Sequence, residues 1–274
     1  MPGPQSEPCQ SWGWTSSRSL SRGALELNEG HWWSNWAHIA WLGSSGYLLT
    51  SESFRETFFN RACILNCRGA DATIAWAEGR LMAHDTVSTV TIFDSCTKAA
   101  RRLRASGYRT VDTLTVLLSI SPAKPESPAH VTINQQPAPD SWTRAYLEAF
   151  YGNQELVAHV TPIVTRLQRL NAVTLLEAIV GDETAGVLAI FRTEGLAGVY
   201  CVGTVPEHRR KGVAASLLSN AKVITGAEGR HLFLQSLASD GTLRYYLQRG
   251  FRVLYSKQLL SRRETSNANK KERV

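Results

Sequence analysis

The segment VGTVPEHRRKGVAASLL carries the residue types and spacing best suited to chemistry in this chain. Arg209, Gly212 and Ala214 fall on the pattern R-x-x-G-x-A, between a β-branched run and an amphipathic one. Such a turn presents successive backbone N–H groups and a helix N-terminus to an anion. Gly212 lets the backbone approach closely, and Ala214 keeps side-chain bulk out of the way. Arg209, Arg210 and Lys211 add positive charge suited to a ligand with several phosphates. A solvated basic turn would use the same residues, so the pattern alone leaves both readings open. Metal chemistry finds no such pattern: Cys63 and Cys67 are spaced C-x-x-x-C, but no second Cys or His pair follows at ligand spacing. The five cysteines are therefore expected to be reduced thiols, Cys201 serving packing and Cys9 lying in a loose segment.

The elements that must hold this turn can be read from periodicity. HVTINQQ is a short strand, and a helix through WTRAYLEAFYG is expected to be capped by Asp140 or Ser141. NQELVAHVTPIVTRLQRL is a second helical stretch, which Pro162 is expected to end or kink. AVTLLEAIV, AGVLAIFR and LAGVYCVGTV form an antiparallel meander with turns at Gly181-Asp182 and Glu194-Gly195. KGVAASLLSNAKVITG is an amphipathic helix with Val213, Leu217, Ala221 and Ile224 on one face. HLFLQSL is a buried strand, TLRYYLQRG a helix closed by Gly250, and FRVLYSK the last strand. The order is β-α-α-β-β-β-α-β-α-β.

In this order and spacing the chain resembles the GNAT superfamily of N-acetyltransferases over about residues 128–260. The matching features are T-V-P-E at a strand end, R-R-K-G-V-A opening a helix, L-F-L-Q-S, and Y-x-x-x-G-F as Tyr246, Gly250 and Phe251. The resemblance implies an acyl-CoA N-acyltransferase fold, a mixed, mostly antiparallel sheet flanked by helices. It further implies that Arg209, Arg210, Lys211, Gly212, Val213 and Ala214 hold the pyrophosphate of acetyl-CoA. Val202, Gly203 and Thr204 would splay from the neighbouring strand at a bulge and bind the pantetheine and acetyl carbonyl. Tyr246 would protonate the departing thiolate, although Tyr245 beside it could exchange roles. Many members have Asn seven residues before this Tyr; here the position is Ser239, which can still make one bond to the pantetheine. A carboxylate must take the amine proton, and Glu177 and Glu148 are the candidates, with Glu207 read as a surface residue.

The first half reads as alternating α/β. NRACILNC, VSTVTIFD and YRTVDTLTVLLSI are strands; DATIAWAEGRLMAHD and SCTKAARRLRASG are helices, the latter capped by Ser and stopped at Gly107. Trp32, Trp33 and Trp36 fall at i, i+1 and i+4, consistent with a helix on the core or with an aromatic ligand pocket. The helix ending in Arg104-Ala-Ser-Gly-Tyr108 and its flanking strands resemble the last three elements of the GNAT fold. Residues 25–120 contain no R-x-x-G-x-G/A turn. The expected organisation is a flexible segment over 1–25, a degenerate, smaller related α/β domain over 26–122, a linker with Pro122, Pro125 and Pro128, a catalytic GNAT domain over 128–260, and a disordered basic tail over 261–274.

With 43% hydrophobic and 19% charged residues in 274, the composition is that of an ordinary globular chain. No stretch approaches the ~18 uninterrupted apolar residues of a membrane span, and the N-terminus has no basic start followed by an apolar core. A cytoplasmic protein is expected. The net charge of +7 and pI near 9.3 would suit nucleic acid, an anionic cofactor or a solvated surface. Nucleic acid is disfavoured, because CoA explains the basic turn and no helix-turn-helix or zinc module is visible. Direct transfer of an acetyl group from acetyl-CoA to a primary amine, of a small molecule or a protein, is the leading reading, with no metal. A non-catalytic acyl-CoA sensor or scaffold is the alternative. Acceptor, acyl length and oligomeric state are not legible.

Overall fold

The hydroxyl of Ser21 accepts a hydrogen bond from the Ala24 N–H at 3.1 Å and so opens helix α1 (Arg22–Trp33). The computed structural model describes residues 20–83, 88–121 and 128–262. The expected flexible segment up to residue 19 with Cys9, the linker prolines Pro122 and Pro125, and the basic tail from residue 263 lie outside the described residues. The end of that segment, from Arg22, is helical rather than loose, because the Ser21 cap and buried Leu25 fix it. A hairpin follows, β1 (His38–Leu42) with β2 (Gly46–Thr50). Trp36 therefore lies beyond α1, whose last carbonyls are taken by Asn35, and packs between Phe54 and Tyr146.

The rest of the first half is β3 (Arg61–Ile64), α2 (Ala70–Ala83), β4 (Ser88–Phe93), α3 (Thr97–Ala105) and β5 (Arg109–Ser119). The second half is β6 (Val131–Asn134), α4 (Pro139–Tyr151), α5 (Val157–Gln168), β7 (Val173–Val180), β8 (Glu183–Thr193), β9 (Leu196–Thr204), α6 (Val213–Ala227), β10 (His231–Leu237), α7 (Leu243–Gln248) and β11 (Phe251–Arg262). That is the element order expected from periodicity. All the strands join one mixed, mostly antiparallel sheet, in the order β1-β2-β3-β4-β11-β5-β10-β9-β8-β7-β6. No described helix is long and apolar enough to cross a membrane.

The order contains an exchange that a linear reading does not foresee. β3 and β4 are parallel neighbours, as are β9 and β10. Beyond each pair lies the last strand of the other half: β11 against β4, and β5 against β10. β5 and β11 then pair antiparallel with each other at the centre. Residues 26–122 and 128–260 thus interleave, each contributing a strand to the other's side of the sheet.

Helices cover both faces. α1, α4 and α5 pack on one through an aromatic cluster that includes Trp32, Trp142, Tyr146 and Tyr200. α6 and α7 pack on the other through Leu217, Ala221 and Phe251. α2 and α3 cover β2 to β4 through Ile74, Leu81 and Leu103. Under α1 lies a buried ion cluster. Glu29 pairs with Arg61 at 2.8 Å and with Lys257, Lys257 pairs with Glu26 at 3.0 Å, and Gln235 donates to Glu29 at 2.8 Å. It joins β3, β11 and β10 to one helix.

Four local expectations are corrected. α4 is entered at Ala138 with Pro139 first in the helix, not capped by Asp140 or Ser141, since proline's fixed φ already suits that position. α3 starts after Cys96 with no side-chain cap. α5 runs unbroken through Pro162, because the carbonyl it frees is that of exposed Ala158 while Val160, Val164 and Leu167 anchor the helix. Cys67 and Cys96 are not thiols but a disulfide across the ends of the neighbouring strands β3 and β4; Cys63 and Cys201 are free.

Candidate functional site

β9 and β10 run parallel only as far as Val199 and Leu234, and then diverge. The cause is a bulge in β9: Tyr200 faces Ala189 and Gly203 faces Val187, so Cys201 and Val202 together oppose Leu188. Cys201 takes φ +53°, a left-handed conformation uncommon for a non-glycine residue, and the strand bends there. Past the bulge the backbone of Cys201 and Val202 has no partner strand on the β10 side among the described residues. The opening widens into a 360 Å³ cavity.

The cavity passes through the sheet. Val199, Cys201 and Val202 line it from β9, and Leu234, Gln235 and Leu237 from β10. Tyr246 of α7 closes it on one face, and Tyr146, Phe150 and Tyr151 of α4 close it on the other. Tyr246 is 8% exposed, and its ring lies edge-on to Tyr245 at 5.5 Å and Phe251 at 6.0 Å. Burial, reinforced by Tyr245 and Asp240, pushes its hydroxyl up to about 12, so it keeps its proton at neutral pH. Burial and then the like charge of Asp112 hold Asp240, also in the wall, above its ordinary value. Burial raises the Cys201 thiol as well, which suits packing better than nucleophilic attack.

The basic turn sits between the diverging strand and α6. After the single turn Pro206–His208 the chain takes φ +64° at Arg210 and φ +86° at Gly212, then enters α6 at Val213. Left-handed residues alternating with ordinary ones, as here, can turn successive N–H groups toward one side. A Cβ on Gly212 would stand 2.7 Å from Pro128 Cγ, so close packing as well as φ demands glycine. Arg209, Arg210 and Lys211 are all exposed, and the Arg209 guanidinium donates to the carbonyls of Thr204 and Ala149 at 3.3 Å each. Arg209 thereby ties the turn to the strand end and to α4. Gly203 permits that approach, since a Cβ there would meet Phe150 Cε2 at 2.8 Å. Val213 is buried and Ala214 half-buried at the start of α6.

The bulge residues Cys201 and Val202 and Tyr246 therefore line one cavity, whereas Gly203, Thr204 and the turn residues Arg209 to Ala214 are not among its walls. Other expected residues stand apart from it. Glu177 is buried on β7, accepting from Asn134 at 3.1 Å and Thr184 at 2.5 Å, and is not among the cavity walls. Glu148 accepts from Gln154 at 3.2 Å and is likewise outside the walls. Ser239 donates its hydroxyl to Asp112 at 2.5 Å rather than facing the cavity. Absent from the sequence reading were Glu56, Phe58, Phe59 and Asp240; of the tryptophans, Trp33 does line the cavity. The motif FRETFFN held the signal, but nothing in one dimension brings it to β9.

Solved structures share the fold. A GCN5-related N-acetyltransferase from Sphaerobacter thermophilus matches with a TM-score of 0.64 and 18% identity, over 81% of each chain. Another, from Kribbella flavida, matches with a TM-score of 0.63 and 16% identity, over 86% of this chain and 94% of its own. A tandem GNAT protein from the clavulanic acid biosynthesis pathway gives 0.53 and 16%, over 73% and 74%. No family model and no curated protein matches the chain.

Proposed function

We propose that this chain, which has the fold of the GCN5-related N-acetyltransferases, transfers an acetyl group from acetyl-CoA to a primary amine. The observation that carries the reading is the divergence of β9 from β10 at the bulge, which opens a cavity lined by a protonated tyrosine, with an anion-suited turn following β9. The donor's pyrophosphate would lie on the N–H groups of residues 210–214, with Arg210 and Lys211 supplying charge. Its pantetheine would run along the free edge of Val202 to Thr204. The N–H groups at Cys201 and Val202 would then face the acetyl carbonyl and stabilise the oxyanion as the amine attacks.

The chemistry balances without a covalent enzyme intermediate. An ammonium acceptor gives one proton to a carboxylate, and its nitrogen forms the C–N bond. The C–S bond breaks with its electron pair left on sulfur, and the thiolate takes a proton from Tyr246. The second proton leaves the nitrogen as the amide forms and restores Tyr246 through solvent. Asp240 suits the accepting role: it lines the cavity, and its raised pKa makes it a stronger base than an ordinary carboxylate. Glu177 and Glu148 are already held by Asn134, Thr184 and Gln154.

The first half follows the same succession, β3, a single turn, α2, β4, α3 and β5, as β9 to β11. We read it as a related unit without the basic turn, which now supplies Trp33, Glu56, Phe58 and Phe59 to the acceptor side. Titration calorimetry with acetyl-CoA tests the reading. The wild type should bind in the micromolar range, and exposed Arg210→Glu with Lys211→Glu should weaken binding at least ~10-fold, a cost of ~1.4 kcal/mol. Absence of binding by the wild type would overturn it.

A further inference from the structure

The cavity has a chemical bias that the fold does not dictate. On the α1 and α4 face its walls are rings: Trp33, Phe58, Phe59, Tyr146, Phe150 and Tyr151. Their edges and faces interlock, with Trp33 edge-on to Phe58 at 4.6 Å and to Phe59 at 5.5 Å, and Tyr146 5.0 Å from Phe150. Such a wall offers large apolar contact and π faces that attract cations. The charged groups among the lining residues are Glu56 and Asp240, both acids, in a protein whose net charge is +7. The lining charges are therefore opposite in sign to the net charge of the whole chain, and the buried cation Arg61 is engaged by Glu29, at 2.8 Å, and by the Phe58 ring, 3.8 Å away.

Resting on the acyltransferase reading, we propose that the acceptor is a primary amine on an apolar, ring-bearing skeleton that carries no carboxylate. The ring enters from the α1 and α4 face, opposite Tyr246, and stacks on the aromatic walls. Glu56, exposed at the rim, draws in the ammonium, and Asp240 takes its proton beside the thioester. Acetyl transfer then forms the C–N bond and releases CoA thiol as described above. A 360 Å³ volume lies within the ~300–1,000 Å³ range of small-molecule sites, and it favours a metabolite-sized acceptor over a protein surface. A carboxylate on the acceptor would meet Glu56 and Asp240. A polyhydroxylated skeleton would leave its hydroxyls unpaired against rings, and a polycation would carry more charges than the two acids can pair.

The test uses the full chain and follows acetylated products by mass spectrometry, with acetyl-CoA binding measured separately by calorimetry. The acceptors are 2-phenylethylamine, L-phenylalanine (the same skeleton with a carboxylate), glucosamine and spermidine. The expected result is a kcat/KM for 2-phenylethylamine at least ~10-fold above each of the others. Glu56→Gln should raise its KM ~3–10-fold while leaving acetyl-CoA affinity unchanged, and Glu56→Asp should recover part of that loss. Acetyl-CoA binding with a preference for phenylalanine, glucosamine or spermidine overturns the inference and leaves the acyltransferase reading standing. So does failure to acetylate any of the four, or a Glu56→Gln variant with unaltered KM. No acetyl-CoA binding overturns both.

Discussion

Tyr246 illustrates how a residue's environment decides its role. Burial, reinforced by Tyr245 and Asp240, pushes its hydroxyl up to about 12, still further from neutral pH than the ordinary 10. Tyr246→Phe removes that proton and little volume. It should lower kcat ~10²-fold or more, the usual scale of a general acid, without altering acetyl-CoA affinity by calorimetry. Because the folded pKa lies above the ordinary 10, the proton is present below pH 10 and is lost only as pH rises toward 12. The ratio of wild-type to variant rates should therefore stay constant from pH 7 to pH 9. A ratio that varies over that interval, or a variant as fast as the wild type, would remove Tyr246 from the proton path.

At the scale of elements, α1 is held by charges rather than only by its tryptophans. Burial alone would raise Glu29, but Lys257 and Arg61 outweigh it and hold the carboxyl below its ordinary value. Glu26 has Lys257 and the hydroxyl of Tyr255 as partners, and there burial prevails and raises it. Lys257→Met leaves two carboxylates facing each other with only Arg61 to compensate. The expected loss is ~3–5 kcal/mol in urea unfolding at pH 7, the range for breaking a buried pair. With the lysine gone, the folded carboxyls bind protons more tightly than the unfolded ones, so stability falls as pH rises. The deficit should shrink between pH 7 and pH 5; an equal deficit at both values would mean the lysine acts by packing alone. The same cluster reaches Gln235 in the cavity wall, and so fixes β10 where β9 leaves it.

At the scale of the molecule, the exchange of β5 and β11 makes the two halves interdependent. β11 separates β4 from β5, and β5 separates β11 from β10. Either half alone would expose long unpaired strand edges and lose the cluster under α1. Residues 20–121 and 128–262 expressed separately should lack cooperative thermal unfolding by circular dichroism, and co-expression should restore it in a one-to-one complex. A second half that melts cooperatively alone would mean the exchange is dispensable. The interleaving also explains why residues of the first half, Glu56, Phe58 and Phe59, line a cavity built around strands of the second.

Local patterning sufficed for the element order of the second half, for the three strands and two helices between residues 60 and 120, and for the turn at Arg209 to Ala214. These depend on short-range physics: alternation of apolar residues, glycine where φ is positive, and a helix start after a basic turn. The hairpin of β1 and β2 was hidden because Trp36, just before it, continues the helical spacing of Trp32 and Trp33. The Cys67–Cys96 disulfide was hidden because its partners are 29 residues apart and adjacent only through the parallel pairing of β3 and β4. The identity of the cavity's carboxylates and rings was likewise beyond reach of the sequence. Which acid faces an opening depends on where two strands part, and that is decided by the register of β8 on β9 and by the strand each half lends the other. Sequence determined which elements exist; long-range pairing decided which of their side chains meet.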